Sequence, residues 1–457
     1  MSVTKAFVAV LAAFISFTPF STQAQTTRQQ WVNSTYNSLS LDEKIGQLFM
    51  VAAYSGGKDY NEDKITALLN NRQIGGVIFM QGTPEAQATQ TNKYQRMANV
   101  PLLIGMDAEW GLGMRLTGVK DFPRQMMFGA TRDTDLVYEL GAAVARQCNR
   151  LGVHINFAPV VDVNNNPNNP IINFRSFSED KTRVAQMGIA YMRGLQDNGV
   201  MACAKHFPGH GDTETDSHSD MPVINKSIAD LEKIEFYPFR QLIGAGIQSV
   251  MIAHLSVPAL EKGTHVPTTL SRNTITNYLR GKMGFEGLVF TDALNMKGIT
   301  KYYDAGEVDL LAFKAGNDVL LFSQDVPTAI AKIKAAITRG EISEEALENS
   351  VKKILAAKYK AGLANFQSIS AQNATQDLNR DVASLRKKVA DAAITVVKDD
   401  NAILEKVKEN MSVGYIGVNA TSSDLQEELV AAVGRVEAKW LPKGAGEATY
   451  AAATKHS

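Results

Sequence analysis

Cysteine is nearly absent, with only Cys148 and Cys203 in 457 residues. That excludes a disulfide framework as the source of stability, and the two read as buried free thiols, Cys203 in a strand and Cys148 in a helix. Net charge is absent as well, with 47 basic and 47 acidic residues. This balance excludes the electrostatic footprint of a nucleic-acid or anionic-membrane partner. No apolar run is long enough to span a bilayer. The run Ala6–Phe17 follows Lys5, the one charge of the first 24 residues, and precedes a Thr22-Gln23-Ala24 ending. This is the pattern of a secretory signal cleaved after Ala24. Residue 25 is Gln rather than Cys, so no lipid anchor is indicated. The expected location is periplasmic or extracellular, without a stable membrane anchor.

What is present is a large apolar content, 45% of residues, enough for a sizeable core and more than one domain. Strand-like runs recur at Gly46–Ala52, Gly75–Met80, Leu102–Met106, Val153–Ala158, Val200–Ala204, Ser249–Ala253, Gly287–Thr291 and Asn317–Phe322. Amphipathic helical patterns separate most of them, at Lys64–Asn71, Leu136–Leu151, Arg183–Asn198, Ser227–Ala245 and Thr274–Met283. Continuous apolar strands alternating with helices predict a parallel sheet buried on both faces. Eight such units fit an α/β fold of the (β/α)8 TIM-like barrel type, with a doubly wound open sheet as the alternative.

Catalytic groups of such a barrel gather at the C-terminal ends of its strands. Asp107, Asp162, Lys205 with His206, His254 and Asp292 all follow predicted strands closely. The segment Lys205–His218 reads KHFPGHGDTETDSH, with seven titratable groups in fourteen positions. One reading is a metal site built from His206, His210, Asp212 and His218. Pro208, Gly209 and Gly211 argue against the helix that would align such ligands. The other reading is proton transfer in a glycine-bent loop. There Asp216 holds one nitrogen of His218 while the second exchanges a proton with substrate.

These motifs resemble glycoside hydrolase family 3, in its β-N-acetylhexosaminidase (β-N-acetylglucosaminidase) branch, whose signature is KHFPGHG followed by DSH. The resemblance runs from Leu41 to about Lys360. It includes Asp107-Ala108-Glu109 with Arg115, Phe157 to Val163, Arg175-Ser176-Phe177, Lys205 to His218, and Phe290 to Met296. It implies a TIM-like barrel and retaining, exo-acting release of terminal β-linked N-acetylglucosamine, from peptidoglycan fragments or chitooligosaccharides, with no cofactor and no metal. It also implies Asp292 as nucleophile, His218 as general acid/base oriented by Asp216, and Asp107, Arg115, Arg175, Lys205 and His206 around the sugar. After Asp107 the family's Gln-Glu-Gly-Gly-Arg run is replaced by Ala108 to Arg115. Its internal basic residue is lost, and Trp110 offers an aromatic face to a sugar instead.

The expected layout is a signal peptide over 1–24, a catalytic barrel over 25–360, a linker and helical connection over 361–390, and a partial α/β unit over 391–457. In that unit strands are predicted at Ala393–Val397, Ser412–Val418 and Val436–Trp440, with a helix at Ser423–Val433. A core this small points to a further C-terminal domain missing from the chain. Three other functions compete with hydrolysis. Phosphorolysis at the same site is the nearest, since a His acid/base repels phosphate less than a carboxylate does. A metal-dependent barrel hydrolase would be distinguished by sensitivity to chelators, and a non-catalytic carbohydrate-binding protein by binding without turnover.

Overall fold

Eight apolar runs become eight parallel strands that pair with their neighbours in chain order. The computed structural model describes residues 27–214, 221–262, 266–395, 408, 411–421 and 423–454. The strands are β1 (Phe49–Ala53), β2 (Gly76–Phe79), β3 (Leu103–Met106), β4 (Ile155–Asn156), β5 (Met201–Phe207), β6 (Ser249–Ile252), β7 (Leu288–Thr291) and β8 (Leu320–Leu321). Every predicted run holds a strand. The sheet order β7-β6-β5-β4-β3-β2-β1-β8 closes through a parallel bridge of Phe290 with Val319. In that closure Val319 donates to the Val289 carbonyl at 3.0 Å and Thr291 donates to the Val319 carbonyl at 3.1 Å. A closed parallel sheet has no edge and excludes the doubly wound alternative.

Side-chain caps start the surrounding helices. Thr83 opens Pro84–Met97, Asp133 opens Thr134–Arg150, Asp180 opens Lys181–Gln196 and Ser343 opens Glu344–Lys360. The pattern over Ser227–Ala245 becomes two helices, Ile228–Lys233 and Phe236–Gly244. Pro238 sits in the first turn of the second, where its missing N–H costs nothing. Inside the barrel Phe157 packs edge-on against Phe290, ring centroids 5.3 Å apart. Gly105 of β3 leaves room for Phe157, whose ring would lie 2.7 Å from a Cβ at that position.

Residues 361–390, expected to be a linker and helical connection, are docked onto the barrel's helices as part of a compact unit that ends at Ala393. Arg150 bonds Asp377 and the carbonyls of Ser370 and Gln372, while Asn92 brackets Ile369 through both of its backbone groups. Helix Val382–Ala393 buries Val382, Leu385 and Val389, one turn apart along a single stripe. Ala393 therefore ends a helix rather than starting a strand, and residues 396–397 of that expected strand lie outside the described residues. So does the signal segment 1–24.

The second unit, taken by itself, is a βαβ arrangement of β9 (Ser412–Val418), helix Asp424–Val433 and β10 (Arg435–Leu441). The two strands are parallel, with Ser412 opposite Arg435, and Tyr415 meets Trp440 edge-on at 5.6 Å. Among the described residues no helix is long and apolar enough to cross a membrane.

Candidate active site

Asp107 stands one residue past β3 and Asp292 one residue past β7, so both carboxylates project from the same C-terminal rim of the barrel. Lys205 and His206 were expected just beyond their strand but belong to it. β5 continues to Phe207, which pairs with Ile252 after a register shift. That irregular continuation turns two polar residues into the barrel mouth. The rim surrounds a cavity of about 320 Å³ lined by Asp107, Glu109, Arg115, Arg175, Lys205, His206 and Asp292, among others.

Lys205 is the centre of a buried ion network. Its Nζ lies 2.8 Å from Asp107 Oδ1 and 2.9 Å from Glu109 Oε1. Arg115 takes the other oxygen of Asp107 at 2.6 Å. Arg175 grips Glu109 with two bonds, Nη2 to Oε1 at 2.6 Å and Nε to Oε2 at 3.0 Å. Such a fork fixes the guanidinium plane as well as its position. Burial on its own would raise both carboxyls, but the surrounding cations overcome it. Asp107 falls well below the usual carboxylate range and Glu109 to about 2. Burial likewise pulls Lys205 down, yet Asp107 and Glu109 outweigh it and its pKa ends raised. All three groups are charged at neutral pH. The partner of Arg175 is Glu109, reached from 66 positions earlier in the chain.

Asp162 organises the His-rich loop from beneath. Fully buried, it accepts from the backbone N–H of His206 at 3.2 Å and of His210 at 2.6 Å, and from His206 Nδ1 at 2.7 Å. Arg175 Nη2 directs a hydrogen toward His206 Nε2 at 3.3 Å, which leaves Nδ1 as the protonated nitrogen. His210 turns its Nδ1 to Thr213 at 2.8 Å, and burial first, then His206, depresses its pKa to about 4. The glycines permit this packing. Gly209 has φ of 130°, and a Cβ on Gly211 would overlap the Val163 carbonyl oxygen. As for the metal reading, His206 faces Asp162 and a guanidinium, and Asp212 pairs with Lys226. No group of metal-ligating side chains forms among the described residues. Asp216 and His218 lie outside them.

Asp292 is positioned by its own N–H, which donates to Ile252 in β6 at 2.8 Å, and by the Ala293 N–H, which donates to Oδ1 at 2.8 Å. Burial opposes its charge, but His254, His206, the Ala293 N–H and Lys205 together hold its pKa below the ordinary value. His254 does not line the cavity; it is fully buried. Trp110 does line it, but the Arg124 guanidinium covers one face of the indole at 3.6 Å from the ring centroid. One of the two faces of the indole is thus taken by a cation. Glu109 is the residue whose importance sequence reasoning missed, while Asp162 was expected at a strand end but without its partner. Each stood in a recognised motif, but nothing in the spacing marked them as buried partners of Arg175 and His206.

The arrangement can bind a polyhydroxylated ring by charged hydrogen bonds and present the Asp292 carboxylate to the same cavity. Residues 40–357 match the glycosyl hydrolase family 3 N terminal domain. A β-N-acetylglucosaminidase/β-glucosidase of Cellulomonas fimi is 31% identical over 388 residues, 83% of this chain and 68% of that protein. The solved glycoside hydrolase family 3 β-N-acetylglucosaminidase of a Paenibacillus species superposes with a TM-score of 0.76 at 31% identity, covering 92% of this chain and 82% of that one. A solved β-glucoside phosphorylase superposes at 0.80 with 26% identity, covering 92% of this chain and 79% of that one.

Proposed function

The chain is a glycosidase that belongs to glycosyl hydrolase family 3, and from that premise we propose that it removes terminal β-linked N-acetylglucosamine from the non-reducing end of an oligosaccharide, with retention, through a glycosyl-enzyme intermediate on Asp292. The observation that carries this reading is a single cavity lined both by the Asp292 carboxylate and by the charged groups of Lys205, Asp107, Arg115 and Arg175. A volume of about 320 Å³ is at the small end of ligand pockets, which suits one sugar residue and hence exo action.

Asp292 attacks the anomeric carbon while the His218 imidazolium gives its proton to the glycosidic oxygen, and the aglycone departs as an alcohol. Neutral His218, oriented by Asp216, then takes a proton from water as its oxygen attacks the same carbon and frees Asp292. The charged groups meet the hydroxyls remote from the anomeric centre and strengthen their hold as oxocarbenium character develops. Peptidoglycan fragments or chitooligosaccharides are the substrate classes, and the leader-like segment 1–24 supports an exported location.

Turnover of an aryl β-N-acetylglucosaminide by the parent, Asp292→Ala and His218→Ala proteins tests the mechanism. Asp292→Ala should lose at least about 10³-fold in kcat, and an undiminished rate would sink the assignment. His218→Ala should lose about 10²–10⁴-fold on poor leaving groups and far less on good ones. Equal losses across leaving groups would remove the acid role.

Likeness to a β-glucoside phosphorylase favours one second reading, phosphate in place of water as acceptor. Product analysis with and without phosphate separates the two, since phosphorolysis yields the sugar 1-phosphate.

A further inference from the structure

The end of β8 is tied to both flanks of Asp292. Thr291, just before the carboxylate, accepts the Leu321 N–H on its Oγ1 at 2.9 Å. Leu294, two residues after it, donates its own N–H to the Leu321 carbonyl at 2.9 Å. Phe322 in turn donates to the Met50 carbonyl of β1 at 3.1 Å. Together these bonds fix Phe322 next to the proposed nucleophile, where it lines the same cavity.

Phe322 holds a backbone conformation that its side chain disfavours. Its φ is 57°, in the left-handed region that glycine enters freely and a bulky aromatic residue enters at a cost. Strain of this kind persists where the surroundings enforce it, and it gathers at ligand sites. In a regular strand successive side chains face opposite ways, but Leu321 and Phe322 both line the cavity. The Phe322 side chain is only partly buried and packs on the barrel core.

The lining changes character on passing Asp292. β7 stands between β6 and β8. On the β6 side come Met251 and then the Lys205 network of β5; on the β8 side come Leu321 and Phe322. In an N-acetylglucosaminide the acetamido group is carried by C2, which is bonded to the anomeric carbon that Asp292 would attack. The group therefore lies close to that carboxylate, and its methyl is the one wholly apolar end of the sugar. Charged neighbours offer a methyl nothing, whereas burial against apolar side chains is favourable. We propose that Phe322 is a specificity-determining residue which, with Leu321 and Ala293, receives the acetamido methyl. The proposal rests on the reading of Asp292 and of the N-acetylated sugar given above, and it assigns a role to an aromatic side chain at a position whose backbone suits glycine.

A pair of aryl β-glucosaminides, one N-formyl and one N-acetyl, isolates the methyl because both keep the amide. In the parent protein kcat/KM for the N-acetyl substrate should exceed that for the N-formyl one by about tenfold. Phe322→Gly, which accepts the left-handed backbone, should bring the two within about twofold of each other. Phe322→Leu, still apolar, should retain most of the preference. Each ratio is taken on one preparation, so any loss of folded protein cancels from it, and a merely structural role for Phe322 would lower both rates alike. A parent without the preference, or a Phe322→Gly protein that keeps it, would overturn the proposal. A parent that turns over neither substrate, or whose Asp292→Ala variant keeps its rate, would instead refute the reading of the site beneath it.

Discussion

Lys205 and Lys358 are both buried, and they are held in opposite ways. Lys205 meets two carboxylates, which outweigh the cost of burial and raise its pKa. Lys358, near the N-terminal end of the barrel, has the amide oxygen of Gln47, at 2.6 Å, as its polar partner among the described residues, and burial drags its pKa down to about 7. A depressed lysine means that the unfolded chain binds its proton more tightly than the native one. The penalty is full below pH 7 and is relieved as pH rises from 7 toward the ordinary value near 10.5. Replacing both partners, as Lys358→Met with Gln47→Leu, should raise the melting temperature most at pH 6, with the gain shrinking by pH 9. Thermal unfolding of parent and double variant across that range is the check. Glu109→Gln should do the reverse, because it strips a buried charge from Arg175 and Lys205. A loss of about 3 kcal/mol is expected in urea denaturation, with a raised KM as the Arg175 fork opens.

At the scale of elements, the strands and most helices were legible because period and length announce them. Boundaries were less so where tertiary pairing decides. The extension of β5 to Phe207 depends on a shifted register with β6 that no local pattern encodes. Glu109 and Asp162 became partners of Arg175 and His206 only through barrel closure, which brings residues tens of positions apart within hydrogen-bond reach. The docking of residues 361–393 did have a signal. Leu378, Val382, Leu385 and Val389 recur at four, three and four positions, a helical stripe, and all four are buried. Taking these four side chains out of water is worth on the order of 6 kcal/mol. A chain ended after Lys360 should therefore unfold at markedly lower denaturant than one ended after Ala393. Equal midpoints would show that the segment adds nothing.

For the whole molecule, the sequence carries no formal net charge. The cavity wall repeats that balance in miniature. Among the described residues lining it, Asp107, Glu109 and Asp292 are set against Arg115, Arg175 and Lys205. Fields from such interleaved charges cancel within a Debye length, about 8 Å at physiological ionic strength. Strong as it is at contact, the network therefore exerts little pull on a guest still in solution. An uncharged sugar should be captured by unaided diffusion, with kcat/KM changing less than about twofold between low and high salt. The ions of this pocket act as a mould for a neutral ring rather than as a beacon for a charged one.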